Sequence, residues 1–325
     1  MDINELLDPF AAMLDAVATP AAVRSVEAGE SAASMWLALA ESGFLDALVA
    51  EENGGAGLSL ADIEPLIEAV GARAVPLPVV ETMVARALLA AAGMPAPQGP
   101  IVLATSPTSG QAVSCALVAE HALVDAGTSL VLAAIGDLSA TPTGVHHALA
   151  ARLAWGVPLP GRALPRPVDG LRPVAAVVRA ALIAGAAGRL TEITTAYANE
   201  RVQFGKPIGR QQALQQNLAV MAQDMVAVRI AAQLGCAVGL SVPLAVAATA
   251  KSTASAAAAR IAATAHAVHG AIGISEEYDL QLLTRRLHEW RLADGSEGYW
   301  NAILGEARLA DSANSVDWVR GAVFG

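Results

Sequence analysis

The stretch Tyr197-Ala198-Asn199-Glu200-Arg201-Val202-Gln203-Phe204-Gly205-Lys206-Pro207-Ile208, followed by Gln211-Gln212, decides how this chain is read. An apolar, alanine-rich run ends at an arginine, and a Phe-Gly pair then turns the chain. Placed at a helix end, Arg201 presents a planar fork suited to a diphosphate, and the alternative is a capping arginine in an interhelical salt bridge. Upstream the pattern is helical back to Pro173, a residue suited to a first helical turn. Downstream it stays helical nearly to the end, so four long helices are expected at roughly 173–202, 210–240, 243–269 and 277–309. Such helices make a bundle, and Gly185 and Gly188 in the first permit close approach of a neighbour.

Composition bounds what the bundle belongs to. Of 325 residues, 54% are hydrophobic, 15% charged and 4% aromatic, enough for two or three domains and too apolar for a disordered chain. A net charge of −10 without a basic cluster argues against nucleic acid, and lysine occurs only at 206 and 251. The mean hydropathy of +0.48 comes mostly from alanine, and no window reads as a clean spanning helix. The acidic start Met1-Asp2-Ile3-Asn4-Glu5 is unlike a signal peptide, so a cytoplasmic setting is expected. Cys115 and Cys236 are too few for a disulfide framework and lack metal-ligand spacing. The six histidines are scattered, and the pair His146-His147 reads as surface or structural.

Three domains are expected: a helical one over 1–96, a reduced β domain over 97–170, and a four-helix bundle over 171–325. In the first, Ser59 is a candidate N-cap for a helix through Ile63, Leu66, Ile67 and Val70 that stops at Gly71. Pro76 and Pro78 separate it from a helix near 81–93, and Gly54-Gly55-Ala56-Gly57 reads as a turn. In the second, short apolar runs at Ile101–Ala104, Ala116–Val118, Ala122–Val124 and Ser129–Ala134 predict strands. The segment Pro158–Pro173, with five prolines and two glycines, reads as a linker.

A second motif, His269-Gly270-Ala271-Ile272-Gly273-Ile274-Ser275-Glu276-Glu277-Tyr278, closes with Asp294-Gly295-Ser296-Glu297. With the Arg201 segment and Ser42-Gly43-Phe44-Leu45 … Ala50-Glu51-Glu52-Asn53-Gly54-Gly55, it resembles the acyl-CoA dehydrogenase family over about 35–95 and 175–310. The resemblance implies a mainly α fold with a small β middle domain and a C-terminal four-helix bundle. It also implies FAD-dependent α,β-desaturation of an acyl-CoA thioester, with electron-transfer flavoprotein as acceptor. By the same resemblance, Arg201, Gln203, Phe204 and Gln212 contact the FAD of a neighbouring subunit, with Gly270 and Ser296 also at the cofactor. Asp294 occupies the position of the family's glutamate base, one methylene shorter, with Glu297 in reserve. The alternative base position falls on Ala175 and is closed.

The chain departs from the family at Ala267 and Ala271, where glutamine and glycine are usual, and it lacks the motifs that wall the flavin in the middle domain. Thr105-Ser106-Pro107-Thr108-Ser109-Gly110 is a faint echo of one, and Trp155 lacks the polar followers of the other. Three arrangements follow. The chain is one of two unlike subunits of a dehydrogenase for bulky, even sterol-derived, acyl groups; or it is a homo-oligomeric enzyme; or it is a non-catalytic structural subunit.

Overall fold

The computed structural model describes residues 3–203 and 205–325; Phe204 lies outside the described residues. The chain opens with α1 (Ile3–Val17), α2 (Pro20–Glu27), α3 (Ala33–Glu41), α4 (Leu60–Ala72) and α5 (Val79–Ala91). Ser59 caps α4 in a reciprocal box: its hydroxyl accepts from the Asp62 amide, and the Asp62 carboxylate accepts from the Ser59 amide at 2.8 Å. Phe10, Leu14, Leu39, Ile63, Ile67 and Val79 are fully buried where these helices meet. Helix α4 does not stop at Gly71 but runs to Ala72.

Two small sheets follow. One has the order β1-β3-β4-β7, from β1 (Ile101–Ala104), β3 (His121–Asp125), β4 (Leu130–Ala134) and β7 (Arg162–Leu164); β1 and β3 are parallel and the other pairs antiparallel. The other has the order β2-β6-β5, from β2 (Gln111–Val113), β5 (Ser139–Pro142) and β6 (Ala151–Ala154). Alternate residues of the first sheet serve two cores. Val102, Ala104, Ala122, Val124 and Ala133 pack with Val113, Ala151 and Leu153 of the second sheet, while Ile101, Leu103, Leu123 and Leu132 join the helical core. Burial on both faces is why these strands read as unbroken apolar runs.

The run Ala116–Val118 is a turn rather than a strand. Cys115 before it holds a left-handed φ of +56°, so Ala116 is buried by packing and not by sheet pairing. Within the proline-rich segment, β7 pairs with β4, so the expected linker supplies an edge strand.

The remainder is α6 (Arg172–Glu200), the hairpin β8 (Val202–Gln203) and β9 (Lys206–Pro207), α7 (Gln212–Cys236), α8 (Leu244–His269), α9 (Leu280–Leu292), α10 (Glu297–Ala310) and α11 (Ser315–Ala322). The expected fourth helix is thus two, broken at Ala293–Ser296, where Asp294 is left-handed at φ +57°. Helix α6 is buried all round from Pro173 to Gly188, as a central helix must be to stay apolar on every face. It lies against α4 at backbone distance. A β-carbon on Gly185 would stand 1.9 Å from the Glu68 carbonyl oxygen, and one on Gly71 2.1 Å from that of Leu182. The two glycines let the helix backbones touch.

Contrary to the sequence reading, α6 and α7 are both long and apolar enough to cross a membrane. In α6, 89% of the apolar window is spent on packing inside the fold, against 28% in α7.

Candidate functional site

The residues singled out in the sequence fall at the two ends of α6. At its C-terminal end, Arg201 is the capping residue, its amide donating to the Tyr197 carbonyl at 2.9 Å and its carbonyl accepting from the Ile208 amide at 2.8 Å. The hairpin pairs Val202 with Pro207 and Gln203 with Lys206. A small core of Ala198, Ile208 and Val268, flanked by Tyr197, Leu214 and Leu218, welds this hairpin to the start of α7 and the end of α8. Arg201, Gln203, Gln212 and Gly270 therefore share one end of the bundle, all exposed.

The Arg201 guanidinium makes no hydrogen bond or ion pair among the described residues, so the interhelical salt bridge weighed from sequence does not form with any of them. Lys206 and Arg210 add two more exposed cations to the same rim. Sequence reasoning passed over both, although Lys206 is one of only two lysines.

At Gly270, φ +60° and ψ −137° are open to glycine, and a β-carbon there would meet nothing within 4 Å. Beside it the buried His269 ring stacks on Tyr197 at 4.3 Å between centroids. Its Nδ1 lies 2.8 Å from the Ala265 carbonyl, which accepts that proton, and its buried Nε2 has no partner among the described residues. Burial holds the His269 ring below the usual imidazole range, so the lone pair on Nε2 is kept. An open backbone and three exposed cations fit one edge of a diphosphate-bearing dinucleotide.

The other end is closed. Asp294 accepts at Oδ1 from the Thr105 hydroxyl (2.9 Å) and at Oδ2 from Arg179 Nε (3.1 Å); the aspartate side chain is 8% exposed and the arginine 3%. Arg179 Nη1 also pairs with the buried Glu81 of α5. Two carboxylates outweigh the burial penalty and hold the Arg179 guanidinium above its ordinary range. The Asp294 carbonyl accepts from Trp300 Nε1 at 3.1 Å, fixing the backbone too.

Beneath the break lies Lys251 of α8, fully buried. Its Nζ donates to Ser255 Oγ (2.8 Å) and to the Arg291 (2.8 Å) and Gly295 (2.9 Å) carbonyls. Three acceptors match three ammonium protons, while burial pulls the amine down to about 7 against the opposing charge of Asp294. Ser296 is the N-cap of α10, its hydroxyl accepting from the Tyr299 amide. Glu297 pairs with Arg291 through two oxygens at 3.0 and 3.1 Å, which holds its carboxyl below the usual range. Ala175 is buried inside α6.

Sequence reasoning missed this network of Arg179, Glu81, Lys251 and Thr105 as a unit. One signal was legible: single charges inside the otherwise apolar runs of α5, α6 and α8 demand buried partners.

Arg179 and Arg201 stand roughly 33 Å apart along α6 at about 1.5 Å per residue. Within one chain, therefore, the Arg201 rim and the Asp294 centre cannot serve a single reacting atom. Two surface cavities, of about 410 and 820 Å³, lie against α1 and α4, and none of the site residues expected from sequence lines either.

A family model described as acyl-CoA dehydrogenase, C-terminal domain, matches residues 174–309, from α6 to the end of α10. The chain is 33% identical over 304 residues to the acyl-CoA dehydrogenase IpdE2 of Mycobacterium tuberculosis, covering 87% of this chain and 90% of that protein. Among solved structures, the ChsE4-ChsE5 complex from Mycobacterium tuberculosis superposes with a TM-score of 0.79 at 22% identity, covering 96% of this chain and 99% of that one. A variant of the Tcur3481-Tcur3483 steroid ACAD gives 0.82 at 25% identity, covering 95% and 98%. The helical bundle, the small sheets before it, the glycine turn after α8 and a relative matched over nearly its whole length lead to one conclusion: this chain belongs to the acyl-CoA dehydrogenase family.

Proposed function

We propose that this chain is one subunit of a heteromeric acyl-CoA dehydrogenase that desaturates an acyl-CoA thioester between Cα and Cβ with FAD, in which the base comes from the partner. One observation carries the reading: the rim at Arg201 is open and its charge unspent, while the centre at Asp294, roughly 33 Å away along α6, is closed by its own ion pairs.

FAD, when bound, supplies the acceptor for the hydride leaving Cβ. Toward it this chain offers Arg201, with Gln203, Phe204 and Gln212 from the same segment and Gly270 from the turn after α8. The guanidinium would hold the diphosphate by charge-assisted hydrogen bonds, and Gly270 would let backbone approach it. The flavin ring itself needs a wall that this middle domain does not build, because the Thr105 hydroxyl is engaged with Asp294. A partner of the same family with a fuller β domain supplies that wall.

Asp294 is a positioning residue in this reading and not the base. To take a proton it would have to leave Arg179, stranding a buried guanidinium on Glu81 alone. Ser296 likewise serves its own helix. Two of the structural relatives named above support a two-chain assembly, and the steroid enzyme among them supports a bulky, sterol-derived acyl group. Electron-transfer flavoprotein is the acceptor this reading expects, in the cytoplasm.

The experiment is co-expression with a second family member encoded beside this gene, followed by Asp294→Asn in the complex. FAD retention and turnover within about tenfold of the parent support the reading. Loss of turnover with FAD and fold intact returns Asp294 to the role of base.

A further inference from the structure

The pair His146-His147, read from sequence as surface or structural, converges with Glu276, some 130 residues further along the chain. His146 Nε2 lies 3.2 Å from Glu276 Oε1, the two imidazole rings stand 3.7 Å apart between centroids, and one donor atom from each of the three residues lies within 4.8 Å of the others. The histidines come from the loop between β5 and β6, and the glutamate from the turn between α8 and α9.

An ordinary His-Glu ion pair accounts for His146 and leaves His147 unexplained. His147 is held from several sides. Its backbone sits at φ +57°, a conformation that a β-carbon disfavours, and its carbonyl accepts from Arg285 Nη1 at 3.3 Å. Its Nδ1 lies 3.4 Å from the Glu27 carbonyl. The Glu27 carboxylate is itself buried and fixed by Arg285 and Arg286. In the tautomer that donates Nδ1–H to that carbonyl, Nε2 keeps its lone pair. This is the outer contact that orients metal-ligating histidines.

We infer that His146, His147 and Glu276 form a site for a divalent cation of the zinc class. Two imidazoles, which are borderline donors, with one carboxylate suit Zn²⁺ in a tetrahedral site whose fourth position is left to water. A hard cation such as Mg²⁺ prefers oxygen alone and does not suit it. The cation would tie the β5–β6 loop to the turn before α9, and through Glu27 to α2. It clamps the middle sheets to the bundle and has no part in the dehydrogenase chemistry. The inference stands whether or not the functional reading does.

The test is isothermal titration calorimetry of the full-length chain, stripped with EDTA, against ZnCl₂ and against MgCl₂, with thermal midpoints measured alongside. One Zn²⁺ per chain is expected, with a raised midpoint and no response to Mg²⁺. His147→Ala, at a half-buried residue, and Glu276→Gln, at an exposed one, should each weaken binding by more than about tenfold and abolish the rise. His288→Ala, at an exposed histidine outside the cluster, should leave both unchanged. Absence of saturable Zn²⁺ binding by the parent chain overturns the inference, as does parent-like binding by His147→Ala and Glu276→Gln.

Discussion

Asp294 combines a left-handed backbone, a buried carboxylate and two occupied oxygens, and each feature bears on how it behaves when altered. Asp294→Asn keeps the shape and the Thr105 hydrogen bond but removes the charge facing Arg179. A charge-assisted hydrogen bond between buried groups is worth about 1.5–3 kcal/mol, so a loss of about 2 kcal/mol is expected in urea unfolding. Lys251 sets a pH dependence. Unfolded, it titrates near 10.5; folded, burial brings it to about 7. Between those values the unfolded chain holds the extra proton, so stability from this residue rises with pH from 7 upward and is flat below. Lys251→Met should flatten the rise of the urea midpoint between pH 7 and 9; an unchanged slope would show that the amine stays charged throughout. None of this network was legible residue by residue, because the partners come from α5, α6, α8 and the α9–α10 break. What the chain does show is the anomaly of a lone Arg179 amid alanines and valines, which requires a buried counter-charge.

Elements were legible where local chemistry decides them. Ser59 with Asp62 three residues on is a capping box that needs no tertiary help, and β1 was bounded to the residue because both its faces are buried. Ala116–Val118 misled because apolar character records burial and not pairing. The break at Ala293–Ser296 was hidden because Asp-Gly can end a helix or lie within one, and Lys251 decides by taking the Gly295 carbonyl. The α4–α6 crossing can be tested directly. Gly185→Ala drives a β-carbon into a backbone carbonyl that no rotamer change relieves, while the gain in helix propensity is about 1 kcal/mol. Overpacking wins, and a net loss of about 2 kcal/mol or more is expected in chemical denaturation. At Gly188 a β-carbon would meet only the Arg229 guanidinium at 3.4 Å, so Gly188→Ala should be neutral or slightly stabilising.

At the scale of the whole molecule, the order of helices, sheets and bundle was legible, but the closing of the Asp294 centre by Arg179 and Thr105 was not. The resemblance already implies that Arg201 serves the cofactor of a neighbouring subunit, and α6, which holds the Arg201 rim and the Asp294 centre toward opposite ends, agrees with that division. That geometry makes sense when a site is completed by another polypeptide. Arg201→Ala should leave this chain folded, since its guanidinium holds nothing among the described residues. It should weaken FAD retention by the two-chain complex about 10- to 100-fold, the worth of one charged hydrogen-bonded contact to phosphate. Equilibrium dialysis of the complex against FAD reads this. The most direct measurement of the central claim is the ratio of FAD to protein chains in the purified assembly. The account expects one FAD for each pair of unlike chains, and a colourless product when this chain is expressed alone. One FAD for every copy of this chain in a homo-oligomer would contradict it.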